Sequence, residues 1–455
     1  MATAISSAQT KNPKRIGVIG AGHVGLVTAA CFAELGHRVA CMDIDVERVH
    51  ELGKGNLPFY EPGLQELVLK HASDRLVFTS DYREAVGQAD FVFLAVATPT
   101  TALGSADLRH VRSAARAVAR VAGGKRPILV SKSTAPVGIT ETLASVLLAE
   151  SNGDGPLRVV ANPEFLREGT AIRDFLEPDR VVLGADDLAA RDAVGALYEP
   201  LDCPILYTDI KTAEMVKYAS NAFLATKISF INEIAEVCEK VGADVRGVAR
   251  GMGLDPRIGS DFLSAGIGFG GSCLPKDVRA LSYLAAVYGS HPQLLNTVLQ
   301  INEEQRRRLV TRLRNLLGGL RGTRIAVLGL AFKPGTDDIR DAPALDLIRL
   351  LEYEEADVRA CDPFAIGATQ AHFPDISCES DPYLAATDCD AVILATEWPE
   401  FRDIDFDRLR AVMRRPVLAD GRNAWDPEEA RRHGFVYLGM GLPEDASQRQ
   451  QRVLV

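Results

Sequence analysis

Gly268-Phe269-Gly270-Gly271-Ser272-Cys273-Leu274-Pro275-Lys276-Asp277 sets one thiol in a glycine-rich loop, with an ammonium three residues on and a carboxylate four residues on. A cysteine attacks carbon only as the thiolate, and nearby positive charge or a helix N-terminus lowers its pKa. Flanking glycines let a bulky ligand approach the backbone closely. Free cysteine is also among the most buried residue types, so an inert structural thiol is the competing reading. The polar, sterically open surroundings make Cys273 the candidate nucleophile.

Gly20-Ala21-Gly22-His23-Val24-Gly25 is a G-x-G-x-x-G hexapeptide, a weak signal when alone. Here it follows a strand-like apolar run over 15–20 and opens an amphipathic helix over about 24–35, closed by Gly36. Asp43 ends the next strand, 38–42, about 20 residues on, where the dinucleotide fingerprint wants an acid. Gly20 makes the turn, Gly22 admits the pyrophosphate and Gly25 permits helix–strand packing, while the helix N-terminus offers N–H groups to the phosphates. Asp43 would accept both ribose hydroxyls and repel a 2′-phosphate, which predicts NAD rather than NADP. Arg48 tempers that preference slightly, but follows the acid without replacing it.

Bounded apolar runs over 90–96, 127–130, 158–160 and 180–183 read as further strands. Strands alternating with helical stretches indicate βαβ units and a parallel sheet, continuing to about residue 210. Long helical periods then cover 211–241, closed by Gly242, and 293–317, closed by Gly318-Gly319. In the third section the runs 324–329, 358–362 and 389–396 echo 15–20, 39–43 and 89–97. The predicted fold is α/β: two Rossmann-like nucleotide-binding domains, 1–210 and 319–455, joined by a long-helix central region, 211–318, that carries the Cys273 loop. Generic α/β patterning is the alternative source of the echo. The third section lacks the glycine fingerprint. Gly329-Leu330-Ala331-Phe332-Lys333-Pro334-Gly335 puts Phe and Lys where glycines would stand, which suits a single phosphate-bearing ligand better than a second dinucleotide.

The 455 residues are 47% hydrophobic and 25% charged, with a net charge of −10. An acidic chain of this kind argues against nucleic acid or an anionic membrane as the main partner. None of the eight cysteines forms a C-x-x-C pair, so neither a zinc site nor a thioredoxin-like motif is predicted. Scattered cysteines, a polar N-terminus and no apolar run of about 18 residues predict a soluble, cytoplasmic protein.

Lys217 and Asn221 are four apart in the long helix and share a face; a solvated surface pair is the plainer reading. They are accompanied by Ser131-Lys132-Ser133-Thr134, Asn162-Pro163-Glu164-Phe165-Leu166-Arg167-Glu168-Gly169, Leu57-Pro58-Phe59-Tyr60-Glu61-Pro62-Gly63, Asp255-Pro256-Arg257-Ile258-Gly259 and the stretch 332–340 ending in Arg340. With these motifs in one order, the chain from about Ile16 to Asn423 resembles the UDP-glucose/GDP-mannose dehydrogenase family.

The resemblance implies that a sugar C6 alcohol is oxidised to a carboxylate with two NAD molecules, releasing two NADH. The intermediate aldehyde would be held on Cys273 as a thiohemiacetal and oxidised to a thioester that water cleaves. By the same resemblance, Lys217 and Asn221 stabilise charge on the C6 oxygen, and Asp277, with a water held by Thr134, serves the proton transfers. Glu164 is a candidate base in thioester hydrolysis; which carboxylate acts in which step stays open. Thr98, Thr134, Glu168, Lys276 and Arg340 match family positions near NAD.

Substrate contacts carried over from the family are Glu164, Phe165, Leu166, Arg167, Glu168, Lys217, Asn221, Phe262, Leu263, Ser264, Ala265, Gly266, Gly270, Lys333 and Arg422. Arg257 matches an arginine that reaches the substrate from a neighbouring subunit, which implies a homodimer or higher homo-oligomer built on the long helix. Each charge outside the Cys273 loop also reads as an ordinary surface salt bridge. His23 departs from the family, many members carrying an aromatic residue there, but leaves the three glycines intact. The stretches 56–63, 162–169 and 257–271 look most like the UDP-glucose branch. GDP-mannose or a UDP-N-acetylhexosamine as substrate is the nearest alternative. A non-catalytic NAD-binding sensor is a further one, against which the intact Cys273, Lys217, Asn221 and Asp277 set argues. For a two-electron hydroxyacid dehydrogenase, none of the eight histidines sits in a recognisable catalytic context.

Overall fold

The computed structural model describes residues 9–72, 74–99, 101, 104–150 and 157–443. They divide between Ser220 and Asn221 into two compact units.

The first unit is built on eight strands: β1 Arg15–Ile19, β2 Arg38–Met42, β3 Leu76–Thr79, β4 Phe91–Leu94, β5 Ile128–Ser131, β6 Val159–Ala161, β7 Val181–Gly184 and β8 Ile205–Thr208. Their order is β3-β2-β1-β4-β5-β6-β7-β8. The first six follow the doubly wound dinucleotide-binding order. All neighbours are parallel except β6 and β7, which pair antiparallel at Ala161 and Gly184. β4 is apolar along its length, and β1 and β5 are apolar apart from the terminal Arg15 and Ser131, because helices cover both faces of such a sheet. Helix α1, His23–Glu34, is apolar all round, with Leu26 to Ala33 fully enclosed. That pattern belongs to a helix packed on several sides.

The second unit holds a six-stranded sheet: β9 Arg324–Leu328, β10 Asp357–Cys361, β11 Ser377–Glu379, β12 Ala391–Leu394, β13 Val417–Asp420 and β14 Val436–Gly439. Its order is β11-β10-β9-β12-β13-β14, wholly parallel. This repeats the first six strands of the other unit, so the echo in the sequence is a repeated fold. The turns correspond as well: Gly20 N–H donates to Met42 O at 2.7 Å, and Gly329 N–H to Cys361 O at 2.8 Å.

Helix α2, Ile210–Val241, starts in the first unit and continues into the second. Helices α3, Leu274–Val287, and α4, Gln293–Leu317, belong to the second. The glycine stops act as expected: Gly36, Gly242 and Gly318 take φ of 98°, 79° and 78°, the left-handed region open to glycine at no steric cost. Among the described residues no helix is long and apolar enough to cross a membrane.

Candidate active site

Gly20, Gly22 and Gly25 divide the labour in the first turn. A Cβ on Gly25 would lie 1.8 Å from Gly20 O, and one on Gly20 2.7 Å from Ala95 O, so both are required by packing. Gly22, at the N-cap of α1, would meet nothing within 4 Å. Its space is open to a ligand, as a dinucleotide pyrophosphate needs. Asp43 stands at the end of β2, where its Oδ2 accepts from Ala21 N–H at 2.8 Å and Arg48 Nη1 at 3.3 Å, and its Oδ1 accepts from Asp45 N–H at 3.0 Å. A carboxylate offers about four acceptor sites, so with three donors in place capacity for about one ribose hydroxyl remains. These residues fit NAD.

His23 is tied down rather than presented to the turn. Its Nε2 lies 2.7 Å from Glu61 Oε2, its ring packs 5.0 Å from Phe59, and Glu61 also accepts from Gly169 N–H and Ala171 N–H. Glu61 therefore fixes the loop that follows Glu164, a role that sequence reasoning missed although the surrounding motif was visible.

Also in the first unit, Lys217 Nζ lies 3.1 Å from Glu164 Oε1, and both side chains are almost fully enclosed, at 5% and 3% exposure. Glu164 Oε2 accepts from Leu166 N–H at 2.6 Å, and Thr134 Oγ1 donates to Oε1 at 3.3 Å. Burial by itself raises the pKa of Glu164. The charge of Lys217, the Leu166 N–H and Lys132 outweigh it and hold the group below the ordinary glutamate value. Phe165 stacks under Lys217 Nζ at 5.3 Å and Arg180 at 4.0 Å. A cavity of about 10 Å³ opens among residues that include Ser133, Thr134, Pro163, Glu214 and Lys217, about the volume one water occupies. The wrapped environment overturns the solvated reading of Lys217.

A second buried lysine was not assigned a role from sequence. Lys132 donates to Asn162 Oδ1 at 3.2 Å, which also accepts from Tyr198 Oη at 2.6 Å. Burial pushes its ammonium down to about 8, with Glu164 opposing and Lys217 adding to the fall. Thr98 donates its hydroxyl to Thr134 O. Arg167 lies outside this cluster, exposed and paired with Asp174 at 2.6 Å.

In the second unit Cys273 is the N-cap of α3, with Ser272 Oγ 3.5 Å from its Sγ. Oriented N–H groups at such a terminus favour negative charge. Asp277, one turn into the helix, is fully buried and accepts from Asn221 Nδ2 at 2.6 Å and from Lys276 Nζ. One donor of Asn221 is thus taken by a carboxylate, as one of Lys217 is by Glu164 a turn earlier in α2; an amide carries two N–H donors and an ammonium three. Arg422 Nη1 donates to Gly268 O at 3.0 Å and its Nε to Ala395 O at 2.7 Å. Gly271 N–H donates to Arg340 O at 2.9 Å.

The structure therefore brings Arg422, Gly270 and the backbone of Arg340 to the Cys273 loop. The loop through Phe262, Leu263, Ser264, Ala265 and Gly266 joins them. Phe262 takes a left-handed φ of 63°, Gly266 N–H donates to Asn232 Oδ1 at 2.8 Å, and Asn423 Nδ2 donates to Ala265 O at 3.3 Å. Lys333 Nζ sits 5.6 Å over Phe332. Arg257 and the Arg340 guanidinium point to neighbouring acids, Asp255 and Asp338, each at 2.6 Å.

Two doubly wound sheets, one with an open glycine turn, and a thiol capping a helix beside a buried carboxylate define a nucleotide-dependent oxidoreductase. Residues 14–202 match the NAD binding domain of the UDP-glucose/GDP-mannose dehydrogenase family, 211–304 its central domain and 326–427 its UDP binding domain. The chain belongs to that family. It is 45% identical over 432 residues to the UDP-glucose 6-dehydrogenase TuaD of Bacillus subtilis, covering 94% of each chain. It is 46% identical over 438 residues to the UDP-glucose 6-dehydrogenase of Rhizobium meliloti, covering 94% of this chain and all of the relative. The solved structure of a UDP-glucose dehydrogenase from Pyrobaculum islandicum is similar at a TM-score of 0.89 and 40% identity, covering 95% and 98% of the two chains.

Proposed function

We propose that the chain oxidises the C6 hydroxymethyl group of UDP-glucose to the carboxylate of UDP-glucuronate with two molecules of NAD, and that Cys273 is the nucleophile. The observation that carries this is the thiol at the N-cap of α3, one turn from the buried, Asn221-bonded Asp277, in a chain whose relatives are named for that substrate. NAD, when bound, accepts a hydride from C6 in each of the two oxidations. The first leaves an aldehyde; the Cys273 thiolate adds to its carbon, and the oxygen takes up a proton to give a thiohemiacetal. Loss of the hydroxyl proton and the second hydride converts this to a thioester. Attack by water, with its proton passed to a carboxylate, breaks the C–S bond and returns the thiolate and the sugar acid.

Lys217 and Asn221 stabilise the negative oxygen in the tetrahedral species. Glu164 is kept ionised by Lys217 and bonded by Thr134, which suits it to accept the proton of the hydrolytic water. Asp277 serves the alcohol and thiohemiacetal protons. We place the sugar nucleotide on the segments containing Glu164 to Glu168, Phe262 to Gly266, Gly270, Lys333 and Arg422, and NAD on Gly20, Gly22, Gly25, Asp43, Thr98 and Thr134.

A homo-oligomer is part of this proposal. Phe223, Phe230, Val237 and Val241 of α2 are 64%, 45%, 50% and 72% exposed and recur at nearly heptad spacing, the pattern of a helix face that meets another. An apolar stripe of that kind supports self-association through α2, with Arg257 offered to a neighbouring copy. The free cysteines suit a reducing, cytoplasmic location.

The test is stoichiometry. Each UDP-glucose consumed should yield two NADH without free aldehyde, and a ratio of one would remove the four-electron reading. Cys273→Ala should bind both nucleotides and make essentially no acid. In Cys273→Ser an oxygen ester should accumulate as an added mass on the protein, because it hydrolyses more slowly than a thioester. A panel of UDP- and GDP-sugars decides the substrate, and sedimentation decides the oligomeric state.

A further inference from the structure

The loop that delivers Cys273 is held by two side chains of α4 that lie about thirty residues further along the chain. Asn302 and Arg306 are each 4% exposed and one turn apart on the helix. Asn302 Oδ1 accepts from Phe269 N–H at 2.7 Å, and its Nδ2 donates back to Phe269 O at 2.9 Å. Arg306 Nη2 donates to the same carbonyl at 3.0 Å, and its Nη1 donates to Asn302 O. One residue of the loop therefore has both backbone polar groups clamped, its carbonyl by two donors of which one is a buried cation. Burial pushes that guanidinium down to about 10, with Asp346 opposing the fall. Its two terminal nitrogens make those hydrogen bonds, while Nε has no hydrogen-bond partner and faces Asp346 Oδ2 at 3.7 Å, so the two bonds to the backbone carry the burial of the cation.

The clamp continues on both sides of Phe269. A Cβ on Gly268 would lie 2.4 Å from Asn302 Oδ1, one on Gly270 2.2 Å from Asp341 O, and one on Gly271 2.7 Å from the Phe332 ring. The glycines are thus needed as much for seating the loop on α4 and on the Arg340–Asp341 segment as for admitting ligand. Phe269 is the anchor: its ring lies in the small core of Ala222, Ala225, Val278 and Val298, and its peptide groups lie on Asn302 and Arg306.

We infer that Asn302 and Arg306 are positioning residues for Cys273, fixing the path of the loop so that the thiol is held at the N-terminus of α3 in both oxidations and in hydrolysis. The inference rests on the reading of Cys273 as nucleophile. Displacing a reacting atom by about 1 Å can cost about 100-fold in rate, while contacts to the nucleotides remote from C6 stay in place.

Arg306→Met removes the cationic donor and keeps the apolar stem. It should lower kcat about 100-fold while leaving KM for UDP-glucose and for NAD within about threefold, the signature of an interaction needed in the transition state. Arg306→Lys, which can still donate to Phe269 O, should recover at least about tenfold of that loss. Asn302→Asp, which keeps the acceptor for Phe269 N–H but sets a carboxylate oxygen against Phe269 O, should fall between wild type and Arg306→Met. The pH midpoint for iodoacetamide labelling of Cys273, followed by peptide mass spectrometry, should rise in Arg306→Met.

A merely structural role would lower melting temperature and active fraction without moving kcat per labelled thiol or that midpoint. Such a result, or a KM that rises in proportion to the loss, overturns the inference. So does failure of Arg306→Met to fold when Arg306→Lys and Asn302→Asp keep wild-type kcat. Cys273→Ala measured alongside separates the two ideas. Full activity in that variant removes the nucleophile itself, whereas its inactivity with unchanged kcat in Arg306→Met removes only the positioning role.

Discussion

Lys217→Met strips the cation from a buried carboxylate while nearly preserving side-chain volume. In the native protein Glu164 is pushed up by burial and held down, on balance, by Lys217, the Leu166 N–H and Lys132. A carboxylate depressed in the folded state contributes stability above its unfolded value of about 4.3, and that contribution is lost as pH falls through the folded value. Without Lys217 the burial is opposed only by Leu166, Thr134 and the more distant Lys132, so the folded pKa moves up. The ionised group then costs stability at neutral pH and costs less as pH falls toward the raised value. Breaking a buried pair by removing one partner costs about 3–5 kcal/mol, against about 0–1 kcal/mol for an exposed pair. The 3% and 5% exposures put this pair in the first class. Lys217→Met with Glu164→Gln should cost less than Lys217→Met alone, because no unpaired carboxylate remains. Denaturant-dependent hydrogen exchange over residues 158–170 at pH 5 and pH 7 is the assay; Trp398 and Trp425 both lie in the second unit, so fluorescence would not report on it. A loss at pH 7 in the range of an exposed pair, or the same loss at both pH values, would refute the reasoning.

Three further outcomes are expected. Gly22→Ala should keep its stability within about 0.5 kcal/mol and raise KM for NAD, since the added methyl meets only the space left for ligand, whereas Gly25→Ala should damage both; thermal melts and NAD titration of the pair decide this. Asp43→Ala should narrow the preference for NAD over NADP in kcat/KM, and equal use of both cofactors by the native enzyme would show the role of Asp43 to be wrong. Gly271→Ala places a methyl 2.7 Å from the Phe332 ring at a φ of 84°, so melting temperature and kcat should both fall, the latter by more than the active fraction.

The parts legible in the sequence were those with local chemistry. The glycine turn with its acid, the helix stops at Gly36, Gly242 and Gly318, and the thiol loop each announce themselves within a few residues. β3, β8 and β11 went unread because they are edge strands with exposed positions that interrupt or weaken the apolar run. β13 and β14 are as short as β5 and β7 and as buried or nearly so, and their length does not account for their being passed over. The supports of the site were hidden for a different reason. Asn302 and Arg306 look like the polar positions of an amphipathic helix, and only a contact across 33 and 37 residues shows them facing Phe269. Lys132 was visible as a letter in a motif; its burial among Asn162, Glu164 and Lys217 was not. Glu61 likewise acts over a separation of more than one hundred residues.

The repeated fold explains why one half keeps a dinucleotide site and the other does not. Asp43 accepts from three donors and faces a turn whose central glycine opens on empty space. Asp362, its counterpart, accepts from Leu330 N–H, Ala331 N–H and Trp398 Nε1 on one oxygen and from Phe364 N–H and Ala365 N–H on the other. Five donors exceed the roughly four acceptor sites of a carboxylate, and Asp362 is 1% exposed. It has no capacity for ribose hydroxyls. The turn itself is closed from within: Ala331 stands where Gly22 stands, fully buried, and its carbonyl accepts from Thr396. A Cβ on Gly329 would come within 2.3 Å of the Thr396 side chain, so that glycine serves packing alone. The same strand–turn–helix has therefore been filled by protein groups in the second unit. Lys333 and Arg422, whose Nη2 donates to Phe332 O at 3.5 Å, lie beside that turn in the segment that matches a UDP binding domain.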